Sequence, residues 1–147
     1  MRYSGRKGWQ ANYNDTFSLD DTLSPIILAA LKKFREQSHK DMFGYPSRLN
    51  TDFSLPENSD LGPIIWEGLI DHMIYAFDMD NEPKAEDYGY TVDLIRGEKL
   101  DNGCTPVSFK VSSEEAKEAY YAAEKEYEDL CRKGRELFAK YYHNLWW

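Results

Sequence analysis

Residues 113–145 read SEEAKEAYYAAEKEYEDLCRKGRELFAKYYHNL, and this stretch decides the fold. Its apolar side chains follow one another in steps of four and three, the spacing of a helix with one apolar stripe. Such a helix would be ~50 Å long at ~1.5 Å per residue, longer than a small domain needs across its core. We therefore expect a scaffold or pairing helix whose stripe consists of Ala116, Tyr120, Ala123, Tyr127, Leu130, Gly134, Leu137 and Tyr141.

Two local features of this helix follow from the sequence. Ser112 and Glu115 match the S-x-x-E capping box, in which each side chain bonds a backbone amide at the helix start. Gly134 lies on the stripe, where its missing side chain would let another helix approach closely at a cost of ~1 kcal/mol in helix propensity.

Two further amphipathic helices are predicted upstream. Apolar residues recur at helical spacing over residues 18–37, with Pro25 either in the first turn or at a kink. The same spacing returns near residue 60, where Pro63 suits a first turn, and it ends before residue 81. Turn formers and aromatic rings dominate residues 39–61, so we expect an ordered loop there. Residues 1–17 are expected to form an extended arm.

The segment before the long helix contains β-like patterns. Residues 90–95 and 107–111 both alternate and are rich in β-formers, and Asn102-Gly103 lies between them. We expect a small β-hairpin that packs on another part of the chain, because an isolated hairpin is only marginally stable.

These elements together predict a mainly α fold in a single domain. It would be a compact three-helix body with one long C-terminal helix and a small β-hairpin insertion. The expected segments are an N-terminal arm (1–17), two amphipathic helices with an ordered loop (18–79), an acidic loop and hairpin insertion (80–111), and the long helix (112–147).

The net charge of −8 is unevenly distributed along the chain. Residues 1–51 have eight Lys and Arg against five Asp and Glu, residues 52–101 three against thirteen, and residues 102–147 seven against eight. The acidic middle segment suits either a solvated surface or a surface that meets a basic partner. Nucleic-acid binding requires clustered Lys and Arg, so we expect no direct binding to DNA or RNA.

Sequence motifs for catalysis are absent. The chain has no G-x-S-x-G, GxxxxGK or GxGxxG, and only His39 is preceded by a Glu three residues earlier, as di-metal helical proteins require. Asp71-His72, with Glu67 one turn earlier, is the remaining metal candidate, although a polar helix edge with a solvated or capped His is the favoured interpretation. We therefore predict a non-enzymatic protein without a metal or cofactor.

One enzymatic alternative stays open. Glu114-Glu115-x-x-Glu118 and Glu126-x-x-Asp129 resemble the EExxE and ExxD boxes of all-helical, magnesium-dependent nucleotide pyrophosphohydrolases. That family places the two boxes on separate helices, whereas here they share one. Carboxylates are also favoured at a helix start by the helix dipole. In this alternative, Glu115, Glu118, Glu126 and Asp129 would hold the metal.

The remaining composition bears on the compartment. Cys131 follows Leu130 on the stripe and suits a small core residue, while Cys104 lies in a turn; a reducing interior is the simplest setting, with a single disulfide left open. No run of eighteen apolar residues is present, so we expect no membrane-spanning helix, and the first residues do not resemble a secretory signal.

Candidate partner-binding residues come from the acidic segment and from the aromatic residues. Tyr120 and Tyr127 lie in the first half of the stripe, which suits a narrow contact with one other helix. Trp146 and Trp147 either dock onto the body or bind a partner. The full set is Asp78, Asp80, Glu86, Asp87, Asp93, Tyr120, Tyr127, Trp146 and Trp147.

Several segments, covering about half the chain, resemble a group of small uncharacterised proteins of tailed bacteriophages. The resemblance lies in DTFSLDDTL (15–23) with the apolar residues after it, GYPS (44–47), the Trp66 to Phe77 pattern and the Gly134 to Trp146 pattern. It implies a context, the host cytoplasm during infection or the virion, and it transfers no activity and no site residue.

The leading hypothesis is a phage accessory protein that acts by protein–protein interaction. It would bind a host or phage protein, and its acidic surface could inhibit a host defence or nucleic-acid-binding protein. The competing hypothesis is a virion or assembly component that forms a homodimer through the long helix.

Overall fold

The structure, a computed structural model, describes residues 2–4, 8–40 and 44–145, with side chains described at 10–37 and 44–145. The predicted mainly helical fold with a long C-terminal helix and a two-stranded hairpin is confirmed. Short 3₁₀ turns lie at Met79–Asn81, Ala85–Tyr88 and Tyr142–Asn144. The strands and helices are β1 (Arg2–Ser4), β2 (Gly8–Gln10), α1 (Tyr13–Phe17), α2 (Leu19–Lys40), α3 (Arg48–Asp52), α4 (Leu61–Phe77), β3 (Val92–Arg96), β4 (Val107–Val111) and α5 (Glu114–Tyr141).

The chain comprises two compact units. Unit 1 comprises residues 1–80 and 130–147, and unit 2 comprises residues 81–129. Helix α5 therefore contributes residues to both units.

The core of unit 1 forms around α4. The buried residues Ile70 and Met73 recur on one face of this helix at the spacing predicted from the sequence. The indole of Trp66 meets the ring of Phe34 from α2 and the ring of Tyr141 from α5, both edge-on, at centroid distances of 6.4 and 5.5 Å. Three helices thus share one aromatic contact, which fixes their packing.

Glycine allows the closest approach between α4 and α5. A Cβ at Gly134 would overlap the Cβ of Ala76 and would lie 2.5 Å from the carbonyl oxygen of His72. The expected close helix contact at Gly134 is therefore confirmed, and its partner is α4.

The N-terminal region differs from the expected extended arm. β1 pairs with β2 in an antiparallel ladder, and α1 follows directly. The Asn12 side chain accepts a hydrogen bond from the Asp15 amide, and the Asp15 carboxylate accepts one from the Asn12 amide. This capping box explains the short helix. Helix α2 then continues through Pro25, which lies inside the helix.

The loop between the two upstream helices contains a short helix that was not predicted. Leu49, in α3, is fully buried in the core of unit 1. The Tyr45 hydroxyl accepts a hydrogen bond of 3.1 Å from the Ser59 amide, and its ring lies where a Cβ of Gly62 would be. The expected ordered loop is thus anchored at several points along its described residues.

The apolar stripe of α5 deviates from the predicted positions. Leu130 is exposed, whereas Cys131 is 1% exposed and joins Gly134 and Tyr141 as a buried residue. Cys131 is therefore a small core residue, as expected, and both Cys104 and Cys131 are free thiols.

The cap of α5 is Ser113. Its hydroxyl oxygen accepts a hydrogen bond of 3.3 Å from the Ala116 amide, and the hydroxyl donates to the Glu115 carboxylate at 2.6 Å. The predicted capping box between Ser112 and Glu115 is therefore wrong by one residue.

The hairpin of unit 2 has the predicted antiparallel form. Val92 lies opposite Val111, Leu94 opposite Phe109, and Arg96 opposite Val107. Every residue of β3 and β4 is exposed apart from the half-buried Val111. The expectation that the hairpin packs on another part of the chain is therefore wrong for the part that the structure describes.

Among the described residues, no helix has both the length and the apolar character needed to cross a lipid bilayer.

Candidate functional site

Four tyrosines of unit 2 form one aromatic cluster. The ring of Tyr90 stacks on that of Tyr120 with centroids 5.4 Å apart and an interplanar angle of 23°. Tyr88 meets Tyr120 edge-on at 6.1 Å, and Tyr121 lies 5.9 Å from Tyr90 and 5.5 Å from Tyr120. Tyr120 and Tyr121 come from α5, whereas Tyr88 and Tyr90 precede the hairpin.

A left-handed glycine brings the two pairs of tyrosines together. Gly89, with φ of 65°, ends the 3₁₀ turn Ala85–Tyr88 and redirects the chain toward β3. The Ser112 hydroxyl donates a hydrogen bond of 2.9 Å to the Gly89 carbonyl and accepts one of 3.1 Å from the Thr91 amide. Ser112 thereby fixes the turn that positions Tyr90.

Carboxylates surround the tyrosine cluster. The Tyr120 hydroxyl donates a hydrogen bond of 3.3 Å to the Glu124 carboxylate. Burial raises the pKa of Tyr120, and the negative charges of Glu124 and Glu82 raise it further. A hydrogen bond with Tyr121 raises the pKa of Tyr90, with burial and the Glu114 carboxylate acting in the same direction. Both hydroxyls are therefore held protonated in a negative environment.

We define the tyrosine–carboxylate surface as Tyr88, Tyr90, Tyr120 and Tyr121 with Glu82, Glu114 and Glu124. Tyr88 and Tyr121 are exposed, so ring surface is available to a partner. Glu114 is partly neutralised by an ion pair of 3.1 Å with Lys117. Ring faces attract ammonium and guanidinium groups, and carboxylates accept their hydrogen bonds, so this surface suits a Lys or Arg side chain.

Most of the net charge of the chain belongs to unit 2. Residues 81–129 contain thirteen Asp and Glu against six Lys and Arg, a net charge of −7, while the remaining residues contain thirteen against twelve, a net charge of −1. The acidity first located in residues 52–101 is divided between the units: residues 52–80 have a net charge of −7 and belong to unit 1, whereas residues 81–101 have a net charge of −3 and belong to unit 2. The other −4 of unit 2 comes from residues 102–129.

Comparison with protein-family models, with curated proteins and with solved structures gives no match for this chain.

The predicted acidic residues are divided between the two units. Asp78 and Asp80 belong to unit 1, and Glu86, Asp87 and Asp93 belong to unit 2.

Asp78 is the least available of these carboxylates. It forms an ion pair of 2.9 Å with Lys32, and this hydrogen bond holds the pKa of Asp78 below its usual range. The other acidic candidates are exposed, and Asp93 lies opposite Lys110 in the hairpin ladder. Glu86 and Asp87 lie beside Tyr88 in the 3₁₀ turn, so they adjoin the tyrosine–carboxylate surface in sequence.

The aromatic candidates have different positions. Tyr120 is the centre of the tyrosine cluster, and Tyr127 is half-buried two turns further along α5. Trp146 and Trp147 lie outside the described residues. Sequence reasoning missed Tyr88, Tyr90 and Tyr121, although the Tyr-Gly-Tyr triplet flanked by acidic residues was an available signal.

The structure does not assemble the candidate metal ligands. Among described residues, no group of three or more His, Cys, Asp or Glu side chains is placed to hold a metal ion. The carboxylates of the hydrolase alternative are therefore not gathered into one site. On α4, Glu67 and Asp71 both bind the Arg35 guanidinium instead, at 3.1 and 2.9 Å.

Unit 1 has an apolar groove of about 600 Å³ between α2 and the residues around the end of α5. Lys33, at its edge, is the single charged residue among its described lining residues, and it already pairs with Glu36 at 3.0 Å. The groove contains no convergent set of polar groups that would orient a reacting ligand.

Proposed function

We propose that this chain is a non-enzymatic protein that acts by binding another protein, and that unit 2 meets a basic partner through the tyrosine–carboxylate surface. One observation carries the proposal: a net charge of −7 is concentrated in the same 81–129 unit that presents four clustered tyrosines. Tyrosines and carboxylates together supply both contact area and charge for Arg and Lys side chains.

Electrostatics would act at two ranges in such a complex. The net charge of unit 2 would speed the encounter with a basic partner, and this contribution should fall as salt is added. At contact, the exposed rings of Tyr88 and Tyr121 would exclude water around the paired charges. Binding should therefore weaken with salt without being lost entirely.

The resemblance to small phage proteins supports a partner in the infected cell. A host defence or nucleic-acid-binding protein has a basic surface that normally meets phosphates, and an acidic unit could occupy it. The protein would then act in the host cytoplasm as an inhibitor.

Charge reversal in unit 2 tests the proposal. A triple variant with Glu82→Lys, Glu114→Lys and Glu124→Lys, the three carboxylates of the tyrosine–carboxylate surface, is compared with the wild type in pull-downs from host extract, followed by mass spectrometry and by binding measurements with the recovered protein. We expect the variant to lose a partner that the wild type recovers in near-equal amounts.

A matched control separates a local surface from net charge alone. Asp20→Lys, Glu57→Lys and Asp60→Lys make the same change in charge at exposed residues of unit 1 that are not partner-binding candidates. The control should retain the partner. Equal loss of the partner by both triple variants would mean that net charge alone explains the binding. Full binding by the unit 2 variant would show that its acidic surface does not bind the partner.

The alternative role, a virion or assembly component that pairs through α5, has narrower support. Ala116, Ala123 and Tyr127 are only half-buried, so part of the stripe is available to another helix. Gly134 and Tyr141 are already buried in unit 1. Ala123→Glu should therefore lower the oligomeric mass if α5 pairs with its copy, and it should leave the mass unchanged if it does not.

A further inference from the structure

The hairpin of unit 2 has two chemically different faces. Adjacent residues of a strand point to opposite faces, and residues directly opposite each other in the ladder share a face. Asp93, Ile95, Ser108 and Lys110 therefore lie together on a mostly polar face. The opposite face, which we call the apolar hairpin face, consists of Val92, Leu94, Arg96, Val107, Phe109 and Val111.

The apolar hairpin face is uncovered within the described part of the chain. Phe109 is 69% exposed and Leu94, directly opposite it, is 53% exposed. A face of this composition is typical of a sheet that packs on a core. A two-stranded hairpin is also marginally stable alone and needs further packing. Both arguments indicate that another surface covers this face.

Charge indicates what that surface is. The hairpin and its loop, residues 92–111, contain three Asp and Glu and three Lys and Arg, so they are neutral within a unit of net charge −7. Two copies can therefore meet here without the repulsion that the rest of unit 2 would impose.

The single charged residue on the apolar hairpin face is also complementary to the same hairpin in a second copy. Arg96 lies at the end of β3 next to the hairpin loop, whereas Val92 and Val111 lie at the base, where α5 begins with Glu114 and Glu115. If two hairpins pack face to face and antiparallel, Arg96 of each copy comes to the base of the other hairpin, beside those carboxylates.

We propose that the apolar hairpin face is a homodimer interface, in which two copies pack their hairpins face to face about a two-fold axis. Such an axis pairs the same apolar patch with itself, so one surface is sufficient for both copies. The inference goes beyond the proposed function and concerns association of the chain with itself in the absence of any partner.

The test uses the full chain and two substitutions on opposite faces of one hairpin. Phe109→Lys places a charge on the apolar hairpin face, and Ile95→Lys makes a similar change on the polar face, where Ile95 is 46% exposed. Light scattering and sedimentation equilibrium give the mass, relative to a monomer of 17.2 kDa, and far-UV circular dichroism confirms that each variant is folded.

We expect the wild type and Ile95→Lys to have twice the monomer mass and Phe109→Lys to be a monomer. The dimer Kd of Phe109→Lys should rise by ~100-fold or more, because each dimer contains two copies of the substituted residue. A monomeric wild type, a dimeric Phe109→Lys, or equal weakening by both substitutions would overturn the proposal. Because this test contains no partner protein, its failure would not affect the pull-down test of the proposed function.

Discussion

Replacing Gly134 by Ala should destabilise the protein, although Ala is the better helix former. A Cβ at this position would overlap the Cβ of Ala76 and lie 2.5 Å from the His72 carbonyl oxygen. Overpacking of this kind costs ~1–3 kcal/mol, and the upper part of that range applies because a backbone carbonyl in α4 cannot rotate away. Helix propensity offsets ~1 kcal/mol, so we expect a net loss of about 2 kcal/mol.

Gly68 provides a matched control in α4. It is exposed, and a Cβ there would have no neighbour within 4 Å, so Gly68→Ala should gain ~1 kcal/mol from helix propensity alone. Urea unfolding of both variants, followed by circular dichroism, gives the two free energies. The changes in the free energy of unfolding relative to the wild type should have opposite signs in the two variants and differ by about 3 kcal/mol. A Gly134→Ala variant at least as stable as the wild type would refute the close helix packing.

Two further predictions concern single side chains. Tyr141→Phe should lower the free energy of unfolding by about 1.5 kcal/mol, because the hydroxyl donates a hydrogen bond of 2.6 Å to Asp52. Burial raises the pKa of Tyr141 from 10.0 to about 12, so the folded state holds this proton more tightly than the unfolded state. The stabilisation that comes from the protonated Tyr141 should therefore be lost as pH rises from 10.0 to about 12, so the wild type should lose more stability over this range than Tyr141→Phe does. Parallel alkaline unfolding curves for the two proteins would contradict this. Of the two thiols, Cys104 is exposed and Cys131 is buried, so iodoacetamide should modify Cys104 alone in the native protein and both in denaturant, as mass spectrometry would show.

Elements with a strong hydrophobic period could be predicted from the sequence. Helix α4 begins and ends close to the predicted residues, because Ile70 and Met73 are fully buried and their spacing reflects one core face. The hairpin register follows from alternation in the same way. The short helix α3 was not predicted, because turn formers dominate the sequence around it. It has one buried residue, Leu49, and a single apolar residue cannot form the repeating pattern from which a helix is predicted.

The deviation in α5 is local. Gly134 and Tyr141 are buried on the predicted stripe, whereas Leu130 is exposed and the buried side chain is Cys131, one residue later. Leu130 and Cys131 lie on opposite sides of Gly134 around the helix, ~40° and ~60° away at ~100° per residue, so spacing alone did not decide which of them the core covers.

Contacts between residues far apart in sequence could not be predicted. Ser112 and Ser113 are equivalent as local caps, and the choice between them depends on the bonds of Ser112 to Gly89 and Thr91, more than twenty residues earlier. The tyrosine cluster depends on the same turn. Tyr120 could be proposed from its own helix, but its three tyrosine neighbours become a cluster only once Gly89 redirects the chain.

The proline within α2 separates two parts of the helix whose amide protons should exchange with deuterium at different rates. Pro25 has no amide proton, so the carbonyl of Asp21 lacks the donor four residues later, and residues 19–24 are held by fewer backbone bonds. Opening free energies vary along a native structure, from near zero at frayed ends to the global value in the core. Amide protons before Pro25 would exchange with deuterium through local fraying, whereas those near the buried Leu31 would require opening of the core. The amide protons of this one helix should therefore fall into two groups, with fast exchange before Pro25 and slow exchange near Leu31.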